Sequence, residues 1–280
     1  MGMYPSLAGK VAIVTGAGRP KGLGEAIALR LAAEGAKIVV HDIGQVKGEI
    51  APEHGVGKRA EIEQVVATIR AASGTAELFQ GDMLIEADVE AMVAFAVEKF
   101  GRLDILVNNA GIGYLFGPLT EMSQEKWDAV LGVNLRGCFF GMKHAARQML
   151  KQGGGGSIVS IGSQASKSGF AQATAYTASK HGLMGLTRAA ALEFGPNKIR
   201  VNMVCPNHVT TGLGSWQNEF MSKARGQTLE QYLAEMRGRI PLGRVGLPDD
   251  TAKAVAFLCS DEAEYITGES MNVSGGEEYH

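Results

Sequence analysis

The sequence predicts an α/β fold, a parallel sheet with helices packed on both faces. Two observations carry this. Short apolar runs rich in β-branched residues alternate with longer stretches whose apolar residues recur at helical spacing. Within the short runs apolar and polar residues do not alternate, as expected of strands covered on both sides. A third feature agrees: 38 of the 280 residues are glycine, about twice the usual share, with no Gly-X-Y period, and one set stands where the first run hands over to a helix.

The elements follow in order. Residues 10–15 (KVAIVT) form the first strand and end in glycines. Leu23, Ile27 and Leu31 mark a helix over 23–34, and 37–42 (KIVVHD) is the second strand. Ile62, Val65, Val66 and Ile69 lie on one stripe of a helix over 60–72, before a third strand at 76–80. Val89, Val93, Ala96 and Val97 give an amphipathic helix over 86–100. Residues 103–107 and 157–161 are the fourth and fifth strands, with one long helix over about 124–152 between them. The glycines at 153–156 then read as a tight helix-to-strand turn. A helix over 173–194, a strand at 199–204, a helix over 249–259 and a strand at 270–273 complete the series. Two segments exceed what the pattern needs: 43–59, without clear period, and 211–245, with a helical stretch of its own. No composition shift divides the chain, so one domain over 1–280 is expected.

Composition narrows the function. Lys and Arg total 27 against 29 Asp and Glu, a net charge of −2, which argues against a surface built for nucleic acid or an anionic membrane. Cys138, Cys205 and Cys259 are far apart and form no C-x-x-C, so neither a disulfide framework nor a metal site is expected. No apolar run approaches the ~18 residues of a membrane span. The first residues lack a signal-peptide core, and a cytoplasmic location is expected.

The first strand runs into Thr15-Gly16-Ala17-Gly18-Arg19-Pro20-Lys21-Gly22-Leu23-Gly24. Glycines here let backbone turn sharply and approach a ligand at a helix N-terminus, as a pyrophosphate requires. Asp42 closes the second strand 20 residues beyond Gly22. A carboxylate there accepts hydrogen bonds from the adenosine ribose and repels a 2′-phosphate, which favours NAD over NADP. Arg19 and Lys21 argue the other way, because cations can hold that phosphate. Tyr176 and Lys180 stand four apart on one helix and share a face. An ammonium beside a phenol eases loss of its proton, so such a pair serves as general base to an alcohol or general acid to a ketone. Ser163, 13 residues earlier, follows the fifth strand and is placed to hydrogen-bond the reacting oxygen.

Taken together, 15–24, Asn108-Asn109-Ala110-Gly111, Asn134, Ser163, Tyr176-x-x-x-Lys180, 202–211, Tyr265-Ile266-Thr267-Gly268 and Ser274-Gly275-Gly276 resemble the short-chain dehydrogenase/reductase family over nearly the whole chain. The resemblance implies a single Rossmann-type doubly wound domain, with a seven-stranded parallel sheet in the order 3-2-1-4-5-6-7, and commonly a homotetramer. It implies that Asn134 holds a relay water, Ser163 orients the substrate oxygen, Tyr176 transfers the proton and Lys180 binds the nicotinamide ribose. Gly16, Gly18, Lys21, Gly22, Leu23 and Gly24 would surround the phosphates. Asp42 and Ile43 would meet the adenosine ribose, and Asp82 and Met83 the adenine. Asn109, Ala110 and Gly111 would pass beside the adenosine ribose. Pro206, Asn207, Val209 and Thr211 would face the nicotinamide.

Departures from the family pattern matter as much. The glycine loop is two residues longer, around Pro20-Lys21. The usual Pro-Gly is Pro206-Asn207, with Asn207 able to take the left-handed geometry. The 43–59 insertion follows Asp42 directly and is expected to fold over the adenosine and slow cofactor release. For the substrate, Tyr114, Gln164, Phe170, His208, Trp216 and Phe220 are the candidate contacts. The aromatic side chains favour an apolar alcohol, while Gln164, Asn207 and His208 leave room for a polyol or sugar. The expected activity is hydride exchange between NAD and a secondary alcohol or its ketone. An NADPH-dependent ketoreductase and a non-catalytic cofactor-binding regulator are the alternatives.

Overall fold

A computed structural model describes residues 2–45, 57–113 and 115–279, with Gly212, Leu213 and Trp216 described through their backbone alone. Its strands are β1 (Val11–Val14), β2 (Lys37–Asp42), β3 (Thr75–Gln80), β4 (Ile105–Asn108), β5 (Gly156–Ile161), β6 (Ile199–Pro206) and β7 (Ser270–Val273). They form one sheet in the order β3-β2-β1-β4-β5-β6-β7, parallel at every pairing. The helices are α1 (Leu23–Ala33), α2 (Arg59–Ala71), α3 (Glu86–Phe100), α4 (Gln124–Leu131), α5 (Cys138–Gln152), α6 (Thr174–Phe194), α7 (Gly212–Ala224), α8 (Leu229–Arg239) and α9 (Pro248–Cys259).

Successive strand residues point to opposite faces, so a strand buried on both must be apolar throughout. Ala12, Val14, Ile38 and Val40 pack with Ile27 and Leu31 of α1, Ile62 and Ile69 of α2, and Val255 and Leu258 of α9. Val11, Ile13 and Val39 pack on the other face with Val89 and Met92 of α3, Met142 and Met149 of α5, and Leu183 of α6. Each fully buried Leu or Ile contributes about 2 kcal/mol to this two-sided core.

The predicted β2, α3 and β7 have the observed limits, and most other ends differ by one or two residues. The turn at 153–155 has three glycines in succession at positive φ (+70°, +87°, +82°), a path that other residues rarely follow. The stretch predicted as one helix over 124–152 is different. Gly132–Gly137 forms a π-helical segment between α4 and α5. An extra residue per turn re-aims the side chains that follow, and such segments recur at functional sites. The left-handed residue after β6 is His208 (φ +44°) rather than Asn207. Pro206 still pairs with Val273 in the β6–β7 ladder, which moves the turn one residue along the chain.

Candidate active site

The sheet reverses its order at β1, with β2 and β3 on one side and β4 onward on the other. At such a point the loops beyond the strand ends diverge and leave a crevice. Asn109 braces it: Nδ2 donates to the carbonyls of Thr15 (2.8 Å) and Gly16 (2.9 Å). The Thr15 hydroxyl in turn accepts from the amides of Asn109 (3.0 Å) and Ala110 (3.1 Å). Gly16 has φ +63°, and a Cβ there would come within 2.7 Å of the Ala110 Cα. Its lack of a side chain is what lets the two loops meet.

Two adjoining cavities occupy the crevice. The first is lined by Gly16, Arg19, Gly22, Leu23, Gly24, His41, Asp42, Ile43, Gly57, Asp82, Met83 and Asn109–Ile112 among others. α1 begins behind it with Gly22 as its N-cap and no side-chain cap, so the first helical amides are left for another acceptor. Asp42 is buried, with Oδ2 accepting from the Gly18 amide (2.9 Å) and Oδ1 from the Ile43 amide (2.8 Å). Burial raises its pKa, and the two amides and the Arg19 guanidinium oppose that rise. Uncapped amides beside a buried carboxylate match a dinucleotide's phosphates and ribose.

The second cavity shares Leu23, Asn109, Gly111, Ile112 and Thr211 with the first. Ser163, Tyr176 and Lys180 line it, and so do Gln164, Phe170, Pro206, Asn207, His208, Val209 and Phe220. Lys180 is buried; its Nζ donates to the Ile161 carbonyl (2.8 Å) and lies 5.6 Å from the centre of the Tyr176 ring. Ser163 Oγ accepts from the Ala165 amide (3.1 Å), which leaves its hydroxyl proton for another acceptor.

Asn134 lies in neither wall. It is fully buried in the π-helical segment. Its Nδ2 donates to the Ile112 carbonyl (2.8 Å) and Ser179 Oγ (3.1 Å), and its Oδ1 accepts from the Ile112 amide (2.8 Å). Both amide protons are thus spent on the chain itself, tying the loop after β4 to the helix that carries Lys180.

Two predicted cofactor residues stand apart from both cavities. Gly18 turns its amide to Asp42, and Lys21 is exposed with its amide on Glu25. Tyr114 and the side chain of Trp216 lie outside the described residues, as do positions 46–56 of the insertion. The neck of that insertion is described: Gly44 bridges Lys58 in parallel, and Gly57 lines the first cavity. Sequence reasoning missed Gly57, Ile112, Phe116, Gln217 and Asn218 as lining residues. They sit in irregular segments or on a helix face whose direction no periodicity reveals.

His41, at the end of β2, is buried with Nε2 on the Gly81 carbonyl (3.1 Å). Its Nδ1 has no partner among the described residues, and burial lowers its pKa to about 4. The unfolded chain therefore takes up this proton first. Stability is lost as pH falls from about 6.5 toward 4, by about 3 kcal/mol. Urea titrations at pH 7 and 4.5 are expected to show this loss reduced in His41→Gln; an equally steep loss in the variant would contradict it.

Comparison with known proteins agrees with this arrangement. Residues 16–278 match a family described as enoyl-(acyl carrier protein) reductase. A short-chain dehydrogenase/reductase of Armillaria gallica is 40% identical over 268 residues, spanning 96% of this chain and 95% of that protein. Carveol dehydrogenase from Mycobacterium avium in complex with NAD superposes with a TM-score of 0.89 at 32% identity, covering 97% of this chain and 98% of that one. NAD+-bound xylitol dehydrogenase gives 0.86 at 32% identity, covering 96% and 99%. Among the described residues no helix is long and apolar enough to cross a membrane. The chain belongs to the short-chain dehydrogenase/reductase family and is an oxidoreductase of that type.

Proposed function

We propose that this chain exchanges a hydride between NAD and a secondary alcohol or its ketone, with Ser163, Tyr176 and Lys180 acting on the substrate oxygen. One observation carries the reading: the cavity lined by those three residues adjoins the cavity lined by Asp42 and shares Leu23, Asn109, Gly111, Ile112 and Thr211 with it. A group spanning both would place one end at a buried carboxylate and the other beside a phenol and an ammonium. The nicotinamide, when bound, supplies or accepts the hydride.

The chain's own residues handle the proton. Ser163, its Oγ already accepting from Ala165, donates to the substrate oxygen and fixes its direction. Tyr176 takes the hydroxyl proton in oxidation and returns it in reduction. Lys180, anchored on the Ile161 carbonyl, holds its Nζ 5.6 Å from the centre of the Tyr176 ring, placed to ease loss of the phenol proton. Asn134 is a positioning residue, holding Ile112 against the helix of Lys180 through Ser179.

Asp42 supports NAD, since a 2′-phosphate would meet a second anion at the ribose edge. Arg19 is the observation favouring NADP, because it lines the same cavity and its charge opposes the rise in the Asp42 pKa. Cofactor titration decides between them. NAD+ is expected to bind more tightly than NADP+, and Asp42→Ala to narrow the ratio about ten-fold, the equivalent of about 1.4 kcal/mol. Tighter binding of NADP+ by the unaltered chain would contradict the NAD assignment.

A further inference from the structure

Behind the polar wall of the second cavity, the C-terminal segment carries two neighbouring carboxylates that do not themselves line it. Oε2 of Glu277 accepts from Asn207 Nδ2 (2.6 Å) and lies 3.3 Å from His208 Nε2. Oε1 of Glu277 lies 3.4 Å from Nε of Arg239, at the end of α8. Glu278 accepts from Gln164 Nε2 and from Ser168 Oγ (3.4 Å). Asn207, His208 and Gln164, which do line the cavity, are therefore each braced from behind by a carboxylate.

His208 is the residue this arrangement constrains most. Its backbone is left-handed, with the Gly246 amide donating to its carbonyl (3.0 Å). Side-chain exposure is only 16% for His208 and 14% for Glu277, so little water competes for their contact. Burial lowers the His208 pKa, with Arg239 acting in the same direction and Glu277 against it. A neutral imidazole whose Nε2 faces a carboxylate carries its proton there, because that is where it finds an acceptor. Nδ1, with no hydrogen bond among the described residues, is then a bare lone pair. A lone pair accepts from a hydroxyl and offers nothing to a carbonyl or a hydrocarbon. Ile112, Phe116 and Phe220 add apolar surface to the same lining, the two phenyl rings stacked at 5.9 Å.

We propose that Glu277 is a positioning residue that fixes His208 as the acceptor for a second hydroxyl of the substrate, so that the site selects diols on a hydrocarbon frame over the matching mono-alcohols. The inference rests on the alcohol chemistry proposed above and names its substrate class. Gln164 and Asn207 belong to the same wall, and the Arg239 contact ties α8 to it.

The test uses matched pairs, butane-2,3-diol with 2-butanol and cyclohexane-1,2-diol with cyclohexanol, with NAD+ and the full chain. The diol is expected to lead in kcat/KM by about ten-fold or more, the worth of one good hydrogen bond in a partly buried site. His208→Phe and Glu277→Ala should bring that ratio toward one, mainly through KM of the diol, and Glu277→Asp should restore part of it. Nitrogen-15 NMR of the imidazole should show the Nε2–H tautomer, with the preference lost in Glu277→Ala. A ratio near one in the unaltered chain would overturn the inference. So would equal loss for diol and mono-alcohol in both variants, or an Nδ1–H tautomer. No cofactor reduction by any alcohol, together with an intact Nε2–H tautomer, would instead overturn the alcohol chemistry beneath it.

Discussion

Replacing Tyr176 by phenylalanine is expected to lower turnover by about 10²–10⁴-fold, the usual range for loss of a general acid–base group, while NAD still binds. The ring remains on α6, and Lys180 keeps its bond to the Ile161 carbonyl, so the wall of the cavity stays in place. Only the hydroxyl proposed to exchange the proton is lost. Ser163 cannot replace it, because a serine hydroxyl gives up its proton far less readily than a phenol. Stopped-flow hydride transfer with NAD binding measured in parallel separates the two effects. Near-full activity in the variant would remove the proposed proton route, and lost NAD binding would make the residue structural.

Asn134→Ala carries the second large effect, on stability and activity together. Its side chain satisfies both the amide and the carbonyl of Ile112 and meets Ser179 Oγ, with no exposure to water. Ile112 is half-buried and Ser179 Oγ keeps its bond to the Tyr176 carbonyl, so a loss of about 1–3 kcal/mol in unfolding free energy is expected. Ile112 lines both cavities, and its release should raise KM for alcohol and for cofactor. Denaturant unfolding with steady-state kinetics measures both. A loss below about 1 kcal/mol with unchanged KM would show that the π-helical segment holds its shape without this amide.

Much of this molecule can be read from its residues, for definable reasons. β2, α3 and β7 stand where the apolar pattern places them, because strands buried on both faces and helices with one buried stripe leave clear periods. Asp42, Ser163, Tyr176 and Lys180 are brought to one crevice because each follows or adjoins a parallel strand end. The π-helical segment is not legible in the sequence, since no residue type or spacing in Gly132–Gly137 distinguishes a widened turn from the α-helix on either side. Residue preference puts the left-handed turn at Asn207, yet the pairing of Pro206 with Val273 carries the strand further and shifts the turn to His208. α8 had a readable start: Thr228 and Gln231 form a capping box, a pattern present in the sequence. Glu277 had none, because it meets Asn207 across 70 residues and no local rule links them.

The central claim is that the two adjoining cavities of one crevice together exchange hydride between a nicotinamide and a carbinol. The most direct measurement follows the nicotinamide absorbance band while a panel of secondary alcohols, diols included, is offered with NAD+ or NADP+. The account predicts reduction of NAD+ by at least one secondary alcohol, faster than of NADP+, and abolished in Tyr176→Phe. Reduction that persists in Tyr176→Phe, or no reduction of either cofactor by any alcohol and no oxidation by any matching ketone, would contradict it.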